Sequence, residues 1–178
     1  MWKWVVRLAI AGLIVIPGLL AFLTLVWFVN PSVEDVSTAG QADAVVLFAG
    51  SPDRLQTAVQ LMDAGAAPTL VVPNGTDIAE SLCGSTRYRV LCPVTATIDT
   101  RGEAREIGKL ASEGGWTSVI AVTSTYHVHR ATFLLGRCFE GDVRAVSPPR
   151  DYDIEDLVDH VAHEWAGLVG AMVLQPGC

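Results

Sequence analysis

The segment Thr123 to Arg130 (TSTYHVHR) concentrates hydroxyl, imidazole and guanidinium side chains within eight residues. His127 and Arg130 are three residues apart, so they share one face if the segment opens a helix. An arginine can clamp an anion through two parallel hydrogen bonds, and a histidine can exchange a proton near neutral pH. Helix N–H groups add attraction for phosphate or carboxylate. The pattern predicts His127 as an acid/base, and Ser124 and Arg130 as anion-binding residues.

Other interpretations of this segment are open. Ser124 could only cap a helix, and Arg130 could pair with a carboxylate. His127 and His129 lie two apart and would point in different directions on a helix, which disfavours a metal site. Ser124 lacks the G-x-S-x-G elbow of a nucleophile. The sequence contains no G-x-G-x-x-G and no P-loop, so no cofactor and no metal is predicted.

Two more polar segments follow predicted strands, and both would lie at the same edge of a parallel sheet. The first runs from Ala49 to Arg54, and the second is Pro73-Asn74-Gly75-Thr76. Ligands of open α/β sheets bind beyond the carboxyl ends of the strands, where the crossover direction switches. We therefore expect Gly50, Arg54, Asn74 and Gly75 to bind substrate, although Asn-Gly is most often only a turn.

The elements that must position these residues alternate between strand and helix. Apolar runs predict strands at 42–49, 69–72, 94–98, 118–122 and 142–146, and periodicity predicts helices at 52–65, 100–113, 124–137 and 154–174. This alternation predicts a Rossmann-like three-layer α/β sandwich with a mainly parallel sheet.

Two of the predicted helices carry carboxylates whose roles matter. Glu103 is either the capping-box partner of Thr100 or a second acid/base that reaches the strand ends. In the last helix, Glu164 belongs to an acidic polar face together with residues 153, 155, 156 and 159. An anionic bilayer would repel that face, so the helix is expected to pack against the sheet.

The amino-terminal segment accounts for the positive mean hydropathy of +0.39. Leu8 to Val29 carries no charge, and about 20 apolar residues suffice to cross a bilayer. A cleavable signal peptide is the competing interpretation, disfavoured by the length of the run. Basic residues before the span and acidic ones after it predict a cytoplasmic amino terminus. The expected organisation is an anchor at 1–30, an exposed linker at 31–41 and an extracytoplasmic domain at 42–178.

Charge and cysteine content restrict the class of protein further. Net charge is −7, and without the two basic residues of segment 1–30 it is 10 − 19 = −9, which argues against nucleic-acid binding.

Four cysteines in an oxidising compartment suggest two disulfides, with three possible pairings. Cys83–Cys92 with Cys138–Cys178 is favoured, whereas free thiols are an alternative and the lack of C-x-x-C disfavours zinc.

Several of these motifs together resemble the YdcF-like family of bacterial envelope proteins, the ElyC and SanA type. The similarity rests on ADAVVLFAG at 42–50, on TRGEA at 100–104 and on VTSTYHVHRA at 122–131. It implies a Rossmann-like domain with a polar pocket and a role in peptidoglycan precursor metabolism, on a phosphorylated or lipid-carrier-linked substrate. The site residues that it implies are Gly50, Arg54, Asn74, Glu103, Ser124, His127 and Arg130. One departure is Phe48-Ala49-Gly50, where family members often have two or three glycines.

Overall fold

The computed structural model describes residues 2–48, 50–74, 80–149, 152–174 and 177–178. In these described residues, strands and helices alternate along the chain after the first helix. In order they are α1 (Trp2–Val29), β1 (Ala44–Leu47), α2 (Pro52–Asp63), β2 (Thr69–Val71), α3 (Glu80–Cys83), β3 (Arg89–Leu91), α4 (Thr100–Gly114), β4 (Ser118–Val122), a 3₁₀ turn (Thr125–His127), α5 (Val128–Cys138), β5 (Asp142–Val146) and α6 (Ile154–Val173).

All five strands form one parallel sheet in the order β3-β2-β1-β4-β5. The chain moves outward from β1 to β3 and then returns to the other side of β1 to form β4. The crossover direction therefore reverses between β1 and β4, which is the position where open α/β sheets place their ligands.

Helices cover both faces of the sheet, as continuous apolar strands require. On one face, Val46 and Ala121 pack against buried residues of α4 and α5, among them Ile107 and Leu135. On the other face, Val45 and Ile120 pack against α2. This arrangement confirms the predicted Rossmann-like three-layer architecture.

The third strand differs from the prediction. The predicted strand at 94–98 is wrong, since β3 is Arg89–Leu91. Val94 and Ile98 are 87% and 92% exposed, so their apolar side chains do not mark a buried strand. That segment instead forms a loop held by Thr95, whose backbone N–H and hydroxyl both donate to the side-chain oxygen of Asn74.

Helix starts also differ in detail from the predictions. The N-cap of α4 is Asp99, whose carboxylate accepts a hydrogen bond from the N–H of Gly102, so Thr100 is the first helical residue and not the cap. Ser124 precedes the 3₁₀ turn without making a side-chain cap bond. The hydroxyls of Thr100 and Ser124 are therefore available for the tertiary contacts described below.

The first helix is long and apolar enough to cross a membrane, with 18 uncharged residues from Gly12 to Val29. The following segment, predicted as an exposed linker, is mostly exposed but attached to the domain. Glu34 forms a parallel bridge with Val146, and Ala39 is fully buried. The last turn of α1 is thereby held close to the carboxyl edge of the sheet.

Both predicted disulfides are present, Cys83–Cys92 and Cys138–Cys178. The second one ties the carboxyl terminus to the end of α5. Helix α6 packs on α5, on the 3₁₀ turn and on the end of α1. The assignment of Glu164 to a solvated polar face is wrong, because this residue is 2% exposed and points towards the turn after β4.

Candidate functional site

A polar cavity of about 210 Å³ opens beside the carboxyl ends of β1 and β4, at the point where the crossover direction reverses. Its walls come from α2, the start of α4, the 3₁₀ turn, α5 and α6. The lining residues are Arg54, Thr100, Tyr126, His127, Arg130, His160, His163 and Glu164. Three of the residues predicted from sequence, Arg54, His127 and Arg130, therefore line one cavity.

Glu164 is the centre of the hydrogen bonding in this cavity. Its Oε1 and Oε2 accept from Nη2 and Nε of Arg130 at 2.8 and 2.7 Å, which is the bidentate arrangement. Its Oε2 also lies 2.9 Å from Nδ1 of His127. The carboxylate partner of Arg130 that the sequence left open as an alternative thus exists, and it lies 34 residues away on α6.

The protonation states follow from this geometry. Despite its burial, hydrogen bonds from Arg130 and His127 bring the pKa of Glu164 down to about 2, so it is an ionised acceptor. Because a carboxylate can only accept, His127 donates through Nδ1–H and leaves Nε2 as the ring nitrogen that can take a proton. Burial lowers the pKa of His127, the hydrogen bond to Glu164 opposes this only in part, and the ring is neutral at pH 7.

Arg54 forms the opposite wall and is 5% exposed. Its Nε donates to the hydroxyl of the fully buried Ser124 at 2.8 Å, and its Nη1 donates to the carbonyl of Phe48 at 3.3 Å. Ser124 therefore positions the guanidinium group. Gly50 is also needed here, because it adopts a φ of +156° and a Cβ would collide with that guanidinium.

Two contacts fix Arg130 against the neighbouring helices. Its Nη1 donates to the hydroxyl of Thr100 at 2.9 Å, across the interface between α5 and α4. Its aliphatic chain passes over Gly167 of α6, where a Cβ would lie 2.8 Å from Cδ of Arg130. The Arg130 guanidinium is thus held by its neighbours, which agrees with the alternative in which it pairs with a carboxylate.

The sequence motifs did not identify three contributors on α6, namely His160, His163 and Glu164. His160 stacks on Tyr126 with ring centroids 4.0 Å apart and an interplanar angle of 6°. The signal that could have identified them is their spacing. His163 and Glu164 follow His160 by three and four residues, so both lie next to it on one helix face.

The remaining predicted residues do not meet in this cavity. Asn74 adopts a φ of +55° and uses its side-chain oxygen to hold Thr95, in the loop after β3. Glu103 is 6% exposed in the first turn of α4 but is not part of the cavity wall. Gly75 lies outside the described residues, so its predicted role is not tested.

A larger apolar groove adjoins the cavity and shares Tyr126 with it. Its volume is about 980 Å³, and it begins at Val29, the last residue of α1. Its other lining residues are Val33, Asp35, Val36, Ser37, Thr57, Gln60, Ala64, Thr125, Ser147, Pro148, Pro149, Tyr152 and Leu157. A polar cavity and an apolar groove therefore lie side by side at the end of the apolar helix.

The cavity can do two things chemically. Two guanidinium groups outnumber the single carboxylate in its lining, so it suits an anion. The His127–Glu164 pair has the geometry in which a carboxylate fixes the tautomer of a general base.

Among the described residues, no group of three or more His, Cys, Asp or Glu side chains is arranged to hold a metal ion. Neither a family model, nor a curated protein, nor a solved structure matches this chain.

Proposed function

We propose that this chain is a membrane-anchored envelope protein that binds the phosphate group of a phosphorylated or lipid-carrier-linked cell-wall metabolite. The observation that carries the proposal is the convergence of Arg54, Arg130 and three histidines on one cavity, with a single carboxylate among them. Two guanidinium groups and one carboxylate give the described lining an excess of positive charge, in a chain whose net charge is −7. Such a local cluster attracts an anion against the field of the domain.

Arg54 is the principal anion ligand in this proposal. Both Nε and Nη2 of Arg130 already donate to Glu164, so its charge is largely compensated. Arg54 is held by a neutral hydroxyl and by a backbone carbonyl. Its guanidinium lies in the cavity wall, where a phosphate oxygen can accept from it.

A hydrolase or phosphoryl transferase is the enzymatic form of the proposal. Nε2 of His127 would take a proton from water or an acceptor hydroxyl, while Glu164 stabilises the resulting imidazolium. Arg54 would stabilise the charge on the phosphoryl oxygens. The lowered pKa of His127 keeps the ring in its proton-accepting form at neutral pH.

The apolar groove favours a lipid-linked over a purely soluble metabolite. It starts at the end of α1 and meets the polar cavity at Tyr126. An amphiphile could place its chain in the groove and its phosphate beside Arg54. Membership of the YdcF-like family and a role in peptidoglycan metabolism stay predictions from the sequence motifs.

The anchoring part of the proposal places the amino terminus in the cytoplasm and the domain outside. Support comes from the basic residues Lys3 and Arg7 before the span and from Glu34 and Asp35 after it. The two disulfides are also typical of an oxidising compartment. A carboxyl-terminal alkaline phosphatase fusion tests this orientation, since that reporter is active only outside the cytoplasm.

A non-catalytic binding or scaffold protein is the alternative. The observation that favours it is the engagement of Arg130 by Glu164 and Thr100, which compensates much of its charge before any ligand binds. In that case His127 and Glu164 would serve to build the binding surface, and no bond of the ligand would be broken.

Calorimetric titration of the full chain in detergent micelles with farnesyl phosphate tests anion binding. We expect saturable binding that Arg54→Gln weakens by about 10- to 100-fold, the magnitude of one charge-assisted hydrogen bond. The matched control is Arg89→Gln, which changes an exposed arginine on β3. Equal affinities of the two variants would overturn the proposed site.

The same ligand separates enzyme from binding protein. His127→Ala is expected to abolish phosphate release while farnesyl phosphate still binds, if the protein is an enzyme. If the wild-type chain binds the ligand but releases no phosphate and transfers none to an added alcohol, the binding or scaffold function is supported instead.

A further inference from the structure

The outer face of α6 is apolar and uncovered along four turns. Residues of this face at helical spacing are 40–70% exposed, namely Val158, Trp165, Val169, Met172 and Val173. Their spacing places them on one side of the helix, away from the buried Glu164 and Ala171. An apolar stripe of this length on a helix requires a partner that excludes water.

The same part of the helix contains a single residue of the Asp, Glu, Lys and Arg types. Between His160 and Leu174 the only Asp, Glu, Lys or Arg is Glu164, which is buried against His127 and Arg130. The acidic residues Glu155, Asp156 and Asp159 lie in the first two turns. The objection that a bilayer would repel the acidic face therefore applies only to the start of α6.

The apolar stripe is continuous with the end of α1. Phe28 is fully buried, and its ring lies 5.9 Å from that of Trp165 on the stripe. Beside it, Trp27 stacks on His129 with ring centroids 3.6 Å apart. A bilayer that surrounds α1 up to these tryptophans would lie directly against α6.

The course of α6 agrees with this position. His160 of this helix stacks on Tyr126, and Glu164 accepts from Arg130 near the start of α5. The end of the helix lines a depression together with Thr100 and Arg101. All of these residues lie at the carboxyl edge of the sheet, the edge from which α1 leaves. The stripe thus faces outward on the side of the domain that α1 joins to the membrane.

We propose that the second half of α6, from His160 to Leu174, lies in the membrane interface as a second contact with the bilayer. The inference rests on the proposed anchoring of α1. Tryptophan is a typical interfacial residue, and an amphipathic helix can bury its apolar face at the depth of the headgroups. One face of α6 would then contact lipid while the opposite face forms the wall of the polar cavity, which holds that cavity at the membrane surface.

Depth-dependent fluorescence quenching tests this contact on the full chain in phosphatidylcholine vesicles. A single cysteine is introduced and labelled with an environment-sensitive fluorophore in Val169→Cys, or in Val173→Cys as an independent variant. Leu19→Cys reports on α1, and Glu113→Cys, on the exposed last turn of α4, is the aqueous control. Nitroxides at the shallow carbons of the lipid chains are the quenchers.

We expect quenching at 169 and 173 several-fold above that at 113, and weaker with deep nitroxides than with shallow ones. Strong quenching at position 19, together with quenching at 169 and 173 as weak as that at 113, would overturn the inference and leave the anchoring intact. Quenching at 19, 169 and 173 as weak as that at 113 would overturn both the anchoring by α1 and the contact of α6 with lipid. Label–label self-quenching at 169 without lipid quenching would assign the stripe to a second copy of the chain and also overturn the inference.

Discussion

The carboxyl edge of the sheet contains two polar regions that look alike in sequence but differ in structure. After β1 and β4, Arg54 and His127 converge on a cavity. After β2, Asn74 turns its side-chain oxygen to the N–H and hydroxyl of Thr95, at 2.9 and 2.8 Å, and closes a loop. Both regions follow buried parallel strands, and both were predicted to bind substrate.

The difference arises from topology. The crossovers that leave β1 and β4 diverge to opposite faces of the sheet, so a space opens between them. The loop after β2 instead lies beside the loop after β3, and Asn74 N–H donates to the carbonyl of Pro93. Polar residues at a strand end therefore indicate a site only where the crossover direction switches.

The largest effect is expected from Glu164→Ala in the polar cavity. The change leaves the guanidinium of Arg130, whose side chain is 16% exposed, without the carboxylate that engages it, and removing one partner of a largely buried pair costs about 3 kcal/mol. Urea denaturation of the full chain in detergent micelles measures the free energy of unfolding. The matched control is Glu155→Ala, an exposed position on the same helix, and equal losses in both variants would contradict the account.

A pH dependence of stability should arise from the same carboxylate. The pKa of Glu164 falls from 4.5 to about 2 on folding, so its contribution is present above pH 4.5 and is lost as the pH decreases towards 2. His127, whose pKa is also lowered, makes the folded state less stable as the pH falls below 6.5. Urea titrations between pH 7 and 3 should show a steeper loss for His127→Gln than for the double variant His127→Gln/Glu164→Gln, because a titrating ring at 127 is absent from both chains and only the carboxylate differs. Parallel curves would contradict the assignment.

Gly50→Ala is expected to affect both stability and binding. A Cβ at position 50 would force a residue with a side chain into a φ of +156° and would displace the guanidinium of Arg54. We expect a stability loss of about 1–3 kcal/mol and weaker binding of phosphate esters. Gly136→Ala is the control, because nothing lies within 4 Å of its Cβ position. Unchanged affinity in Gly50→Ala would show that Arg54 does not depend on this glycine.

The smallest effect is expected at the other region, from Asn74→Ala. The change removes the acceptor of two hydrogen bonds from Thr95 and should cost about 1–2 kcal/mol, with no change in affinity for phosphate esters. Thermal denaturation and ligand titration measure the two quantities separately. A loss of affinity comparable to that of Arg54→Gln would place Asn74 in the site and remove the contrast between the regions.

The fold was largely predictable because the strands and helices are marked by local patterns. Val-rich runs identified β1, β2, β4 and β5, and cysteine spacing together with the polar loop identified both disulfides. The strand β3 was missed since it is a short edge strand, whereas the nearby exposed residues Val94 and Ile98 imitated one.

The site was only partly predictable because its key partner is remote in sequence. The motif around His127 and Arg130 is local and was recognised as an acid/base and anion-binding pair. Glu164 lies 34 residues beyond Arg130 on a helix whose other carboxylates are solvated, so periodicity placed it with them. Which carboxylate turns inward depends on how α6 packs, and a one-dimensional pattern does not contain that information.

Titration of the full chain with inorganic phosphate, followed by NMR at the arginine Nε–H groups, tests the central claim most directly. We expect a saturable shift of the Arg54 resonance, a much smaller shift of the Arg130 resonance, because Glu164 already engages that side chain, and no shift at the exposed Arg89. Shifts confined to exposed arginines, or a linear and non-saturating response at Arg54, would contradict the assignment of the polar cavity as an anion site.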